Sequence, residues 1–156
     1  MIFKDRAVVF LATGFYAGKL PFAPGTFGSV IGLVLAFLLA GLTLPLALLC
    51  MLAIVFFAVW IAQRAEKILK QKDPGCIVID EIVGMAITLM DLPFNLKTVL
   101  LGFALFRILD ILKPPPIRTA EKRLTGGIGV VADDVIAGIL ANILLRITLM
   151  VMMQFG

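Results

Sequence analysis

Apolar positions along this chain fall into long runs, separated by short polar or Gly/Pro-rich breaks. The runs are Phe27–Leu44, Leu46–Ala62, Ile77–Met90, Leu96–Leu112 and Val130–Met153. None alternates with the period of two that marks a half-buried strand, so each predicts a helix apolar on most of its circumference. Phe27–Leu44 would be about 27 Å long as a helix, near the ~30 Å hydrocarbon thickness of a bilayer. Ile77–Met90 would reach only about 21 Å, which suits a buried core helix or a re-entrant piece. Residues 1–12 run from a polar start into a short apolar piece, the pattern of an interfacial helix. The fold expected is all-α: a polytopic membrane helical bundle of about five apolar helices, in a single domain over residues 1–156.

The breaks differ in kind. Thr13–Ser29 holds four glycines and two prolines in seventeen residues, so it predicts irregular backbone before the first long helix, with Thr26 or Ser29 as its N-cap. Backbone N–H groups at such a helix start favour anions, which makes this break either a plain lead-in loop or a phosphate cradle. Gly41–Pro45, Asp73-Pro74-Gly75 and Asp91–Asn95 predict turns, and Arg64–Asp73 a solvated helix extension. Lys113-Pro-Pro-Pro-Ile-Arg118 favours extended polyproline geometry, and Gly126, Gly127 and Gly129 predict a flexible turn that places Asp133 and Asp134 in the first turn of the last helix.

Composition strengthens the membrane reading. The chain has 156 residues, 62% hydrophobic and 15% charged, with mean hydropathy +1.12, against roughly 45–50% apolar in a soluble domain. No cleavable signal pattern opens the sequence. Five alternating crossings would put the Gly/Pro break, the Arg64–Cys76 loop and the whole Arg107–Gly129 stretch on one side. That side would carry all the lysines and arginines except Lys97 and Arg146, and the excess of basic residues makes it cytoplasmic. Aromatic-interleaved basic patches are absent, so no nucleic acid partner is expected.

The chemistry gathers at the same side. Asp80, Glu81, Asp110, Asp133 and Asp134 lie among Ile, Val, Leu and Ala, where an unpaired charge is costly. Neighbouring helix positions point about 100° apart, so Asp80 and Glu81 are expected on different faces, one toward a ligand and one toward another helix. Arg107 and Asp110, three apart, share a face and can pair with each other. There is no histidine, which removes His-dependent triads and His metal ligands. Cys50 and Cys76 form no motif; Cys50 reads as inert core. An oxygen-only acidic set suits Mg2+, and basic residues with glycine loops suit a phosphate. Metal, phosphate and membrane together predict phosphoryl chemistry on a lipid headgroup, with Asp80 or Asp134 open as metal ligand, base or nucleophile. The alternative is an ion channel or transporter subunit using the acids as ion ligands, although they cluster near the ends of the apolar runs. The Asp-x-x-Asp-Gly-x-x-Ala-Arg pattern of CDP-alcohol phosphotransferases is absent.

Four blocks in order carry a resemblance. Pro-Phe-Ala-Pro-Gly-Thr-Phe-Gly-Ser (21–29), Ile-Val-Ile-Asp-Glu-Ile-Val-Gly-Met (77–85), Phe-Arg-Ile-Leu-Asp-Ile-Leu-Lys-Pro-Pro-Pro-Ile-Arg (106–118) and Gly-Gly-Ile-Gly-Val-Val-Ala-Asp-Asp-Val-Ile-Ala-Gly (126–138) resemble the phosphatidylglycerophosphatase A family. The resemblance implies a helical, Mg2+-requiring enzyme of the bacterial inner membrane. Such an enzyme removes the terminal phosphate of phosphatidylglycerol phosphate to give phosphatidylglycerol. Carried over by motif, it implies Asp80, Glu81, Asp110, Asp133 and Asp134 as acids for metal, with Asp80, Glu81 and Asp134 catalytic. It implies Thr26, Arg107, Lys113 and Arg118 as phosphate contacts. Tyr16 replaces a glycine common in the family's first loop, and Glu121-Lys122 replaces a common Asp-Arg pair, so these positions stay outside the expected site.

Overall fold

The computed structural model describes residues 3–155, and every regular element among them is helical. The helices are α1 (Phe3–Ala12), α2 (Pro24–Ala40), α3 (Leu44–Leu69), α4 (Ile79–Thr88), α5 (Leu96–Leu112), α6 (Ile117–Arg123) and α7 (Gly126–Phe155), with a 3-10 turn at Ala17–Lys19. The five apolar runs correspond to α2, α3, α4, α5 and α7. Met1 and Ile2, which begin the expected interfacial helix, lie outside the described residues.

Among the described residues only α3 and α7 are both long and apolar enough to cross a membrane, at roughly 39 and 45 Å. α2 and α5 have 17 residues each, about 26 Å. α4 is shorter than its apolar run, with 10 residues or about 15 Å, half a bilayer core. The run Ile77–Met90 loses its ends because Ile77 and Val78 are still in the entering loop and Leu89–Met90 already turn. Expecting about five spans therefore overstates what helix length supports.

α4 is the axis of the packing. Val83, Met85 and Ala86 on it are at most 1% exposed, and it is enclosed mainly by α2 and α7, with α3 and α5 completing the wall. Small residues make the approach close. A Cβ on Gly32 of α2 would lie 2.7 Å from the Ile82 carbonyl oxygen, and one on Gly138 of α7 would overlap the Gly84 carbonyl outright. Absence of side chains thus lets backbone meet backbone, the usual device where helices pack without a hydrophobic drive between them. Phe106 of α5, fully buried, closes the core against Gly84. The outward faces are apolar: Phe37, Leu38, Leu49 and Phe56 are all more than 60% exposed.

Several local expectations are corrected. α2 begins at Pro24, so Thr26 and Ser29 lie inside the helix rather than capping it. Proline is tolerated at the first helical position, and Ala23 caps with left-handed backbone (φ 48°) and no side-chain bond. Ser29 Oγ instead donates to the Gly25 carbonyl at 2.8 Å. The polyproline segment is brief: Pro116 is already helical and Arg118 belongs to α6. Gly126, Gly127 and Gly129 are the opening turn of α7, not a flexible linker. The Gly127 N–H donates to Gln63 Oε1 at 2.8 Å, and a Cβ on Gly127 would overlap the Val59 carbonyl, so glycine serves close packing on α3. Asp133 and Asp134 accordingly sit about two turns into α7.

Replacing Gly138 by Ala is expected to destabilise the bundle by roughly 1–3 kcal/mol through overpacking on α4, read as a lowered thermal midpoint of the detergent-purified protein.

Candidate active site

The acids meet at the N-terminal end of α4. Asp80 and Glu81 stand in its first turn, and Asp134 faces them from α7. Asp80, Glu81 and Asp134 each offer a carboxylate oxygen, all within 4.8 Å of one another. The expected division, one acid toward a ligand and the other toward a neighbouring helix, does not hold, because both turn an oxygen to the same cluster. Side chains in a first turn lean back past the helix end, and the longer Glu81 closes the angular gap between neighbours.

Burial makes this convergence expensive. Asp134 is 3% exposed. Asp80 Oδ1 and Glu81 Oε2 are buried with no hydrogen-bond donor among the described residues, as is Asp133 Oδ1. Like charges this close in a low dielectric repel strongly, and the unpartnered oxygens of Asp80 and Glu81 lack the bonds that would offset their lost hydration. The donor set is all oxygen. Such a set, with orphaned oxygens turned to a common point, suits a hard divalent cation.

Two basic residues adjoin the acids through partners of their own. Arg107 Nη1 donates to Asp110 Oδ2 at 2.5 Å, within α5, which realises the pairing foreseen from their spacing. Asp110 in turn faces Asp134 and Glu81. Lys113, the left-handed cap of α5 (φ 45°), donates from Nζ to Asp133 Oδ2 at 2.7 Å and to Glu121 Oε1 at 3.1 Å. Burial works against its ammonium form, but the bonds to Asp133 and Glu121 outweigh it and hold its pKa above the ordinary lysine range. Lys113 is therefore a fixed positive charge at the rim.

The structure thus brings together Asp80, Glu81, Asp134, Asp110 and Arg107, with Asp133 and Lys113 alongside. Thr26 stands at the edge: its neighbour Gly25 abuts Glu81 and Arg107, yet no side-chain bond engages the Thr26 hydroxyl among the described residues. Arg118 is exposed on α6 and makes no ion pair among the described residues. Two participants escaped sequence reasoning. Glu121, set aside for its departure from the family pattern, bonds Lys113. Gly25 is the other: a Cβ there would lie 2.5 Å from Glu81 Oε1 and 3.0 Å from Arg107 Nη1. Its signal was the Pro-Gly-Thr break itself, since glycine next to a helix start often marks close approach to a polar group.

A helical bundle with an apolar exterior, an oxygen-only acidic site and fixed arginine and lysine charges beside it is the equipment of a phosphatase. The comparisons agree. The family profile described as Phosphatidylglycerophosphatase A matches residues 10–149. The chain is 39% identical over 132 residues to Phosphatidylglycerophosphatase A of Escherichia coli (strain K12), covering 84% of this chain and 77% of that protein. It is 40% identical over 135 residues to the protein of the same name from Haemophilus influenzae (strain ATCC 51907), covering 85% and 83%. It is also 40% identical over 147 residues to a Putative phosphatidylinositol-3-phosphatase of Bacteroides thetaiotaomicron, covering 89% and 91%. No solved structure matches. The chain belongs to the phosphatidylglycerophosphatase A family.

Gly25→Ala is expected to push Glu81 and Arg107 apart and lower turnover about tenfold or more, because small misplacements of reacting groups are costly. Circular dichroism should show the helix content unchanged.

Proposed function

We propose that the protein hydrolyses the terminal phosphomonoester of phosphatidylglycerol phosphate, giving phosphatidylglycerol and phosphate, in a Mg2+-dependent reaction at the cytoplasmic face of a bacterial inner membrane. The observation that carries the cation requirement is the set of orphaned buried oxygens on Asp80 and Glu81 beside Asp134. Family membership supports the substrate.

Asp80, Glu81 and Asp134 would hold the Mg2+. When bound, the ion supplies charge neutralisation for phosphate oxygens and lowers the pKa of coordinated water. Asp110 and Asp133 hold Arg107 and Lys113 in place, and Asp133 keeps its other oxygen, Oδ1, without a donor among the described residues and open to the metal side. Arg107 and Lys113 then bind the phosphate and stabilise the charge that develops on it as the ester bond breaks. The start of α2 lies with the Gly25 backbone against Glu81 and Arg107, and the Gly25 N–H and the Thr26 hydroxyl would be its contacts for the phosphate. Asp80 or Asp134 would take the proton of an attacking water. Arg118, exposed beyond Lys113, acts as an outer contact for the anionic headgroup.

The membrane placement rests on the length of α3 and α7, the apolar outward faces, and the basic residues gathered at the site's end of the bundle. In this arrangement α4 is a half-span, so the bundle is multi-pass without every helix crossing. Acids at the end of the bundle, rather than along a continuous polar path, favour the hydrolase over an ion channel or transporter.

The deciding experiment is phosphate release by purified protein from phosphatidylglycerol phosphate, with and without Mg2+, beside phosphatidic acid and phosphatidylinositol 3-phosphate. Turnover of the first substrate that requires the ion is expected. Asp80→Asn and Asp134→Asn should each lower kcat by roughly a hundredfold or more, with thermal midpoints no lower than that of the wild type, since each removes a buried charge. Equal turnover with EDTA would overturn the Mg2+ reading, and preference for another headgroup would overturn the substrate.

A further inference from the structure

α7 presents four residues to α4 at a constant interval of four: Asp134, Gly138, Asn142 and Arg146. This interval forms one stripe along a helix. The first three meet successive levels of α4, and Arg146 meets the turn that follows it. Asp134 joins Asp80 and Glu81 at the N-terminal end. Gly138 touches the Gly84 carbonyl. Asn142 Nδ2 reaches the carbonyls of Ile87 at 3.3 Å, Thr88 at 2.9 Å and Met90 at 2.9 Å. Arg146 Nη2 reaches the carbonyls of Met90 and Asp91, each at 3.1 Å, and Asp91 Oδ2 at 3.1 Å. Arg146 Nε also donates to Asn142 Oδ1 at 2.9 Å, joining the two into one network.

The last turn of a helix leaves its carbonyls without intrahelical donors. α4 ends inside an apolar bundle, where losing such bonds is costly. At its end the backbone N–H groups of Leu89 and Met90 both turn to the Ile87 carbonyl, which leaves the carbonyls of Thr88, Met90 and Asp91 to donors from elsewhere. Asn142 and Arg146 supply the missing donors from α7. The same network fixes how far α4 slides along α7, because hydrogen bonds to named carbonyls are directional where apolar contacts are not. At the other end of that 10-residue rod, the axial position decides whether Asp80 and Glu81 meet Asp134.

We propose that Asn142 and Arg146 are positioning residues: a polar lock at the far end of α4 that sets its register on α7 and thereby assembles the acidic site about 15 Å away. This rests on the phosphatase reading for its catalytic consequence, but not for its structural one.

The test compares full-length detergent-purified Asn142→Leu, Arg146→Met and Arg146→Lys with wild type. Leu145→Ala serves as the control, since Leu145 is a fully buried neighbour on α7 outside the network. Two readouts are taken below the thermal midpoint of every variant: kcat and KM on phosphatidylglycerol phosphate, and amide hydrogen exchange over residues 79–84. Asn142→Leu and Arg146→Met are expected to lower kcat ten- to a hundredfold, with KM within about threefold of wild type and faster exchange at 79–84. Arg146→Lys should recover most of the kcat. Leu145→Ala, at comparable loss of thermal midpoint, should keep both kcat and exchange at 79–84. Wild-type kcat in the lock variants, unchanged exchange at 79–84, or losses no larger than those of Leu145→Ala would each overturn the proposal. A wild type inactive on every lipid phosphate would sink the phosphatase reading alone, and exchange would still decide the lock.

Discussion

Three carboxylates held together away from water are the constraint around which this bundle is arranged. Asp80, Glu81 and Asp134 repel one another, and among the described residues no donor reaches Asp80 Oδ1 or Glu81 Oε2. A protein keeps such a group only where the surrounding structure over-determines it. Here that means a short helix gripped along its length: Gly32 of α2 and Gly138 of α7 allow backbone-to-backbone approach, Phe106 fills the space beside Gly84, and the α7 side chains Asn142 and Arg146 take up the carbonyls at its end. The acids are therefore positioned by packing that lies mostly outside the site.

The basic residues show the same economy. Arg107 and Lys113 are each tied to a carboxylate on the site's margin, which orients them and keeps their charge local. Such ion pairs contribute little to stability when partly exposed. In the proposed reaction their value would be preorganisation: a guanidinium and an ammonium already in place need no rearrangement when an anion arrives. The departure Glu121-Lys122 from the family pattern becomes intelligible in this light. Glu121 keeps a carboxylate on Lys113, and the longer side chain still reaches it.

Unequal helix length is the second organising fact. α3 and α7 are long and apolar enough to cross a membrane, while α4 has only 10 residues. A full-length helix in its place would carry its C-terminal carbonyls to an interface and to water. Stopping short leaves them inside, so donors must come from a neighbour. α7, the longest helix, serves both ends of α4 with a single face.

Much was legible along the chain alone. Helical class, apolar runs, the basic bias toward one end and the five acids in apolar company all follow from residue type and period, which are local properties. The family motifs added the substrate. What local reading could not reach was convergence within α4: two adjacent acids look divergent on a helical wheel and meet only because they lean past the helix end toward Asp134. Nor could it place Gly25 against Glu81, draw Glu121 to Lys113, or leave Arg118 in solvent, since these depend on which helices touch. Arg146 looked like a stray charge far from the chemistry. Four-residue spacing from Asp134 was present in the sequence all along, but spacing acquires meaning only when a second helix, at a particular height, offers carbonyls to be met.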